Sequence, residues 1–155
     1  MRCWRCAANY PCLVSISSFR DWLDQHPPPD AAFGQSLAGV ATRVIDGDDF
    51  LVAVRELLDE FILLSTDAQR RRAIEAEPPE TGDRRHDAYL GALGEHLALT
   101  SGLDRPEWTL AECRFLDTFW FQSNVAGFRA LAIAESPAAF RRRGIFVAAG
   151  SLRRV

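Results

Sequence analysis

Three groups of side chains in this sequence could do chemistry. Cys3, Cys6 and Cys12 stand in a C-x2-C-x5-C pattern within "MRCWRCAANYPC", and thiolates two residues apart are a common hook for zinc. A structural zinc site takes four ligands, so His26 or Cys113 would have to supply the fourth, and no second paired hook follows. The three cysteines are weak zinc candidates, and no cofactor is expected.

His86, Glu95 and His96 are the second group. The H-E-x-x-H arrangement sets two histidines at i and i+4 around one metal ion, whereas ten residues separate His86 from His96, about 15 Å along a helix axis. One ion cannot bind both. His96 shares a helical face with Tyr89 and Leu93, so a hydrogen-bonded histidine of the core or its boundary is its expected role. The pairs Asp59 with Glu60 and Glu75 with Glu77 read as solvated helix faces. "DGDD" at 46–49 lacks the later ligands of a calcium loop and reads as a helix cap. Neither a glycine-rich phosphate loop with its lysine nor a nucleophile elbow occurs. No catalytic residue is assigned.

Arg141, Arg142 and Arg143 form the third group, within "ESPAAFRRRGIFV". Ser136 and Pro137 are a cap residue and a first-turn proline, and Gly144 is the residue expected just past a helix end. The arginines then fall in the last turn, where the helix dipole favours each exposed cation by about 0.3 to 1 kcal/mol. That accounts for their position and not for their number. The tail 136–155 has no acidic residue and continues with Phe146, Arg153 and Arg154, while Trp120 and Phe121 end the aromatic-rich "PEWTLAECRFLDTFWF". Arginine and aromatic side chains dominate interface hot spots, so the expected partner-binding residues are Arg141, Arg142, Arg143, Phe146, Arg153, Arg154, Trp120 and Phe121. The competing reading is a small regulatory DNA-binding protein whose C-terminal arginines contact phosphates. Against it stand a net charge of -3 and the lack of a helix-turn-helix with a basic second helix. Composition leaves open whether Ile145–Val147 packs inward, which would make the arginines a rim around a closed helix end and weaken both binding readings.

The elements that must position these groups follow from pattern. A chain of 155 residues with 48% hydrophobic and 25% charged residues is long enough for one domain with a genuine core. All 18 basic residues are arginine, and the charge is divided between an acidic middle, -9 over 46–135, and a tail of +5 over 136–155. No run of 18 apolar residues occurs and the first residues are too polar for a secretory leader, so no membrane span and a cytoplasmic location are expected.

"LVSIS" at 13–17 reads as a short strand or extended lead-in and "SSFRDWLDQH" as a short helix stopped by "PPP" at 27–29. A second helix spans about 30–44. The helix after "DGDD" carries its apolar set, Phe50, Val54, Leu57, Leu58, Phe61 and Ile62, at three- and four-residue steps. "TDAQRRRAIEAE" continues it or forms its own helix, and "PPETG" is a loop. Tyr89, Leu90, Leu93 and Leu97 mark a helix closed by Gly102, and further helices are expected in "RPEWTLAECRFLDTFWF", "SNVAGFRALAIAE" and "SPAAFRRR". The expected fold class is mainly α, a single-domain orthogonal bundle of about six to eight helices, with a minor two-stranded ribbon in which "IFV" pairs with "LVSIS". Residues 1–16 are expected to be a poorly ordered or extended leader, and 17–155 the helical domain with its basic segment 136–155.

From about Asp49 onward, "FLVAVRELLDEF", "EPPETGDRRHDAYLGALGEHLAL", "PEWTLAECRFLDTFWF" and "ESPAAFRRRGIFV" resemble an uncharacterised family of small helical proteins from high-GC bacteria. Its members are often encoded beside nucleotidyltransferase-like toxin genes, and similar C-terminal segments follow helix-turn-helix domains. The resemblance brings no catalytic residues. It implies a bacterial, antitoxin-like protein that binds a cognate toxin-like protein encoded nearby and neutralises it by occluding its site.

Overall fold

The structure is a computed structural model that describes residues 34–152, which belong to one compact unit. The expectations for the leader, for Cys3, Cys6, Cys12 and His26, for "LVSIS" and the first helix, and for Arg153 and Arg154 lie outside the described residues.

The described residues begin with four helices, each started by a polar side chain that accepts from an otherwise unpaired first-turn amide. Helix α1, Leu37–Ile45, is capped by the Ser36 hydroxyl, which accepts from the Gly39 N–H at 3.0 Å. Within "DGDD" the work is divided: Asp49 caps α2, Phe50–Leu63, through the Val52 N–H at 3.0 Å, while Asp48 pairs with Arg43 at 2.7 Å. "TDAQRRRAIEAE" forms a separate helix α3, Asp67–Glu75, with a capping box between Thr66 and Gln69. Asp83 opens α4, Arg84–Thr100, by accepting from the Arg85 N–H at 2.8 Å.

The next segment departs from expectation. "RPEWTLAECRF" makes two tight 3-10 turns, Glu107–Leu110 and Glu112–Arg114, in place of a helix. Trp108 and Arg114 both turn inward: the Trp108 indole donates to the Ile74 carbonyl at 3.1 Å and the Arg114 guanidinium to the Pro78 carbonyl. Six residues of α-helix turn through about 600°, leaving two such side chains roughly 120° apart. Breaking the helix lets both face the same side.

Strand β1, Trp120–Phe121, then pairs in parallel with β2, Ile145–Phe146, in the register Trp120 to Ile145 and Phe121 to Phe146. Its N–H groups at Trp120 and Gln122 donate to Gly144 and Phe146 carbonyls at 2.8 and 3.1 Å. Among the described residues the partner of "IF" is thus Trp120–Phe121, the stretch expected to end a helix. Helix α5, Arg129–Glu135, and the single-turn α6, Ala138–Arg141, lie between the strands. Ser136 was expected to cap α6. Instead its buried hydroxyl donates to the Val147 carbonyl at 3.0 Å and accepts from the Val147 N–H at 2.7 Å, tying the start of α6 to the end of β2. Gly144 has φ +74°, and a Cβ there would stand 3.3 Å from the Thr118 carbonyl oxygen, so glycine suits both the reversal and the approach of the β1 segment.

The molecule is mainly α with a small two-stranded ribbon. Its core joins Leu37 and Val40 of α1, Val54, Leu57, Leu58 and Phe61 of α2, and Tyr89, Leu90 and Leu93 of α4 to Phe140, Ile145 and Val147. Ile145 and Val147 are buried and Phe146 is half-buried, so the apolar triplet packs inward. Ile62, expected in the core, is 60% exposed; it follows Phe61 by about 100° around α2 and falls off the buried stripe. Among the described residues no helix is long and apolar enough to cross a membrane.

Candidate functional site

Asp87, Gly91 and Glu95 follow one another at four-residue steps on α4 and so share one face. Both carboxylates are buried, at 4% exposure each. Buried charge is tolerated only when paired, and each has its arginine. Glu95 Oε2 accepts from Arg143 Nη1 at 2.5 Å, and Oε1 accepts from Arg142 Nη1 at 3.0 Å, with Arg105 Nη1 3.6 Å away. Arg143 has no exposed surface and donates also to the carbonyls of Ala139 and Thr109 at 2.7 and 2.6 Å. The guanidiniums of Arg142 and Arg143 lie over the Phe115 ring, 5.4 and 4.8 Å from its centre. Burial lowers the Arg143 pKa, which Glu95 opposes by raising it; an arginine so paired stays charged.

Arg114, 1% exposed, makes the other half of the network. It lies 5.3 Å above the Trp108 ring, with Nη1 3.9 Å from Asp87 Oδ1 and Nη2 3.7 Å from Glu77. Asp87 in turn accepts from the Thr81 N–H and hydroxyl at 2.8 and 2.9 Å. The two arginines reach α4 on either side of Gly91, where a Cβ would stand 2.7 Å from Arg114 Cβ and 3.3 Å from Arg143 Nε. Glycine is required there for close approach.

The arginine triplet therefore has three separate fates. Arg143, expected at a partner surface, is an internal strut: the α6 turn that ends at Gly144 aims it at a buried carboxylate, so in the folded domain it cannot reach a partner. Arg142 is shared between Glu95 and solvent, and Arg141 is exposed. Glu95, weighed with the histidines as catalytic chemistry, instead anchors the C-terminal segment to α4. The signal for this was D-x3-G-x3-E in "DAYLGALGE". His86 stacks on Phe50 with ring centres 4.0 Å apart, and the half-buried His96 meets Phe140 edge-on at 6.0 Å. No three His, Cys, Asp or Glu side chains that could hold a metal ion come together among the described residues. Tyr89, edge-on to Trp120 at 6.3 Å, has its hydroxyl pKa raised by burial.

A second feature lies on the other face of the ribbon, because successive strand residues point to opposite sides. Trp120 faces the core while Phe121 turns out and stacks on Phe146, centres 4.9 Å apart. With Phe128, Leu131, Ala132 and Ala148 these rings line a groove of about 270 Å³. Among the described residues Arg129 is its one charged lining residue, with its guanidinium 5.3 Å above the Phe121 ring. Of the expected partner-binding residues, Phe121 and Phe146 thus meet in one place. Phe128 and Leu131 are 54% and 45% exposed, and α5 buries only Ala132. Comparison with protein-family models, with curated proteins and with solved structures finds no match to this chain.

Proposed function

We propose that this protein is a non-catalytic, antitoxin-like binding module that engages a cognate nucleotidyltransferase-like toxin encoded nearby and occludes its site. The observation that supports this reading is the groove formed by Phe121, Phe128, Leu131 and Phe146 beside the exposed Val125 and Ile133. Contiguous exposed apolar surface marks interaction sites, and covering it is worth roughly 25 cal/mol per Å². Aromatic anchors of this kind slow release, while the acidic stretch 46–135 speeds encounter with a basic, nucleotide-binding partner. Occlusion needs no catalytic group on this chain.

Phe128→Asp and Leu131→Asp test the reading. Both positions are exposed, so the cost in stability stays near 0.5 kcal/mol or below. The paired variant is expected to lose co-elution with the neighbouring gene product and to stop relieving its toxicity; neutralisation at the wild-type level would refute the proposal. In the same preparation, steeply salt-dependent binding to duplex DNA that vanishes with Arg141, Arg153 and Arg154 changed to alanine would favour the DNA-binding reading instead.

A further inference from the structure

We infer that Arg105 and Arg142 form an oxyanion site of the phosphate class at the open edge of the Glu95 cluster. Three guanidiniums, those of Arg105, Arg142 and Arg143, converge on this one carboxylate. Among the described residues none of the three has a second carboxylate within 4.0 Å. The cluster thus carries an excess of two positive charges. Arg143 is wholly internal and committed to Glu95, Ala139 and Thr109. The other two reach solvent, with side-chain exposures of 39% for Arg105 and 36% for Arg142.

Their geometry suits a bridging anion. Both approach the same oxygen, Glu95 Oε1, at 3.6 and 3.0 Å, so the two Nη1 atoms lie within about 6.6 Å of each other. Glu95 Oε1 itself lies between the two Nη1 atoms, so a tetrahedral oxyanion bridging them at about 2.8 Å sits on the solvent side of the pair, taking the donors that Glu95 does not. Arg142 gives one N–H to Glu95 and rests on the Phe115 ring, which holds its plane. Arg105 at 3.6 Å is beyond hydrogen-bond range, and the remaining donors of both forks have no protein acceptor among the described residues. Rigid guanidinium forks with spare donors fit phosphate oxygens bidentately, and a dianion matches the local excess. Arg105 also borders a cleft of about 400 Å³ with Glu75, Glu77, Asp104 and Glu107. Their field, offset in part by Arg71 of the same cleft, opposes an anion, so the binding is weak.

The test is a titration of the full chain with inorganic phosphate against chloride at matched ionic strength, followed by the arginine Nε–H resonances. Saturable shifts with a dissociation constant of about a millimolar are expected, reduced at least tenfold in affinity by Arg105→Ala or Arg142→Ala and unchanged by Arg141→Ala. Among the described residues Arg105 makes no hydrogen bond, only the 3.6 Å approach to Glu95, so its variant folds and keeps the test decisive. Non-saturable shifts in the wild type, or an Arg105→Ala variant that titrates like it, overturn the site. A nucleoside monophosphate titrated in parallel separates the two sources of the group: equal affinity identifies free phosphate, and tighter binding a phosphate carried on a larger molecule. The docking proposal is unaffected by either result, since the variants that test it lie in the groove.

Discussion

Glu95→Gln removes one charge and almost no volume from the centre of the α4 face. Arg143 then keeps its buried charge with no carboxylate against it, and the nearby guanidiniums of Arg142 and Arg105 repel it. Breaking a buried ion pair by removing one partner costs about 3 to 5 kcal/mol. The glutamine carbonyl still accepts one hydrogen bond from Arg143, which places this variant at the lower end, near 3 kcal/mol, and Glu95→Ala at the upper. With a urea slope of about 1 to 3 kcal/mol per molar, the midpoint falls by roughly 1 to 3 M, a large share of the 5 to 15 kcal/mol that holds such a domain together. Equilibrium urea unfolding followed by far-ultraviolet circular dichroism and by tryptophan emission measures it. The paired variant Glu95→Leu with Arg143→Met is expected to recover most of the loss, because a buried ion pair and a well-packed apolar pair of similar volume are close in net stability. If Glu95→Gln costs less than about 1 kcal/mol, the carboxylate does not anchor the C-terminal segment and the reasoning fails.

Gly91→Ala gains about 1 kcal/mol of helix propensity. Its new Cβ meets the base of the Arg114 side chain at 2.7 Å, an overpacking worth about 1 to 3 kcal/mol. A net loss of up to about 2 kcal/mol is expected in thermal melts, while Gly127→Ala, with nothing within 4 Å of the added carbon, leaves stability unchanged or slightly higher. Burial holds the Tyr89 hydroxyl pKa above its ordinary 10.0. Below that pH both folded and unfolded chains are protonated there and stability is unaffected. Above it the unfolded chain releases a proton that the folded chain retains, so stability falls with rising pH. Urea midpoints taken through the alkaline range should show this fall, and Tyr89→Phe should flatten it.

The helices were legible in the sequence where one local rule sufficed. Asp49 of "DGDD" caps α2 as expected, and the stripe of α2 needs only the helical period; Ser36, Thr66 and Asp83 cap by equally local contacts, although the helix expected over about 30–44 starts only at Leu37. Such features depend on neighbours in the chain, so composition and spacing carry them. The segment 106–121 obeyed no local rule. Its helical pattern yielded to two long-range demands, Trp108 on the Ile74 carbonyl and Arg114 on the Pro78 carbonyl, 34 and 36 residues away in sequence.

The candidate site divides in the same way. The basic and aromatic character of 136–155 and the outward-facing potential of Phe121 and Phe146 were properties of the residues themselves. Which arginine would be buried was not: Arg141, Arg142 and Arg143 are chemically identical and adjacent. Only the packing of α6 beneath α4, with Gly91 leaving room and Glu95 waiting 48 residues upstream, assigned one to the interior, one to the boundary and one to solvent. Side chains one residue apart on a helical turn point about 100° apart, so the identity of the neighbouring element, which no single stretch of chain encodes, decides what each one does.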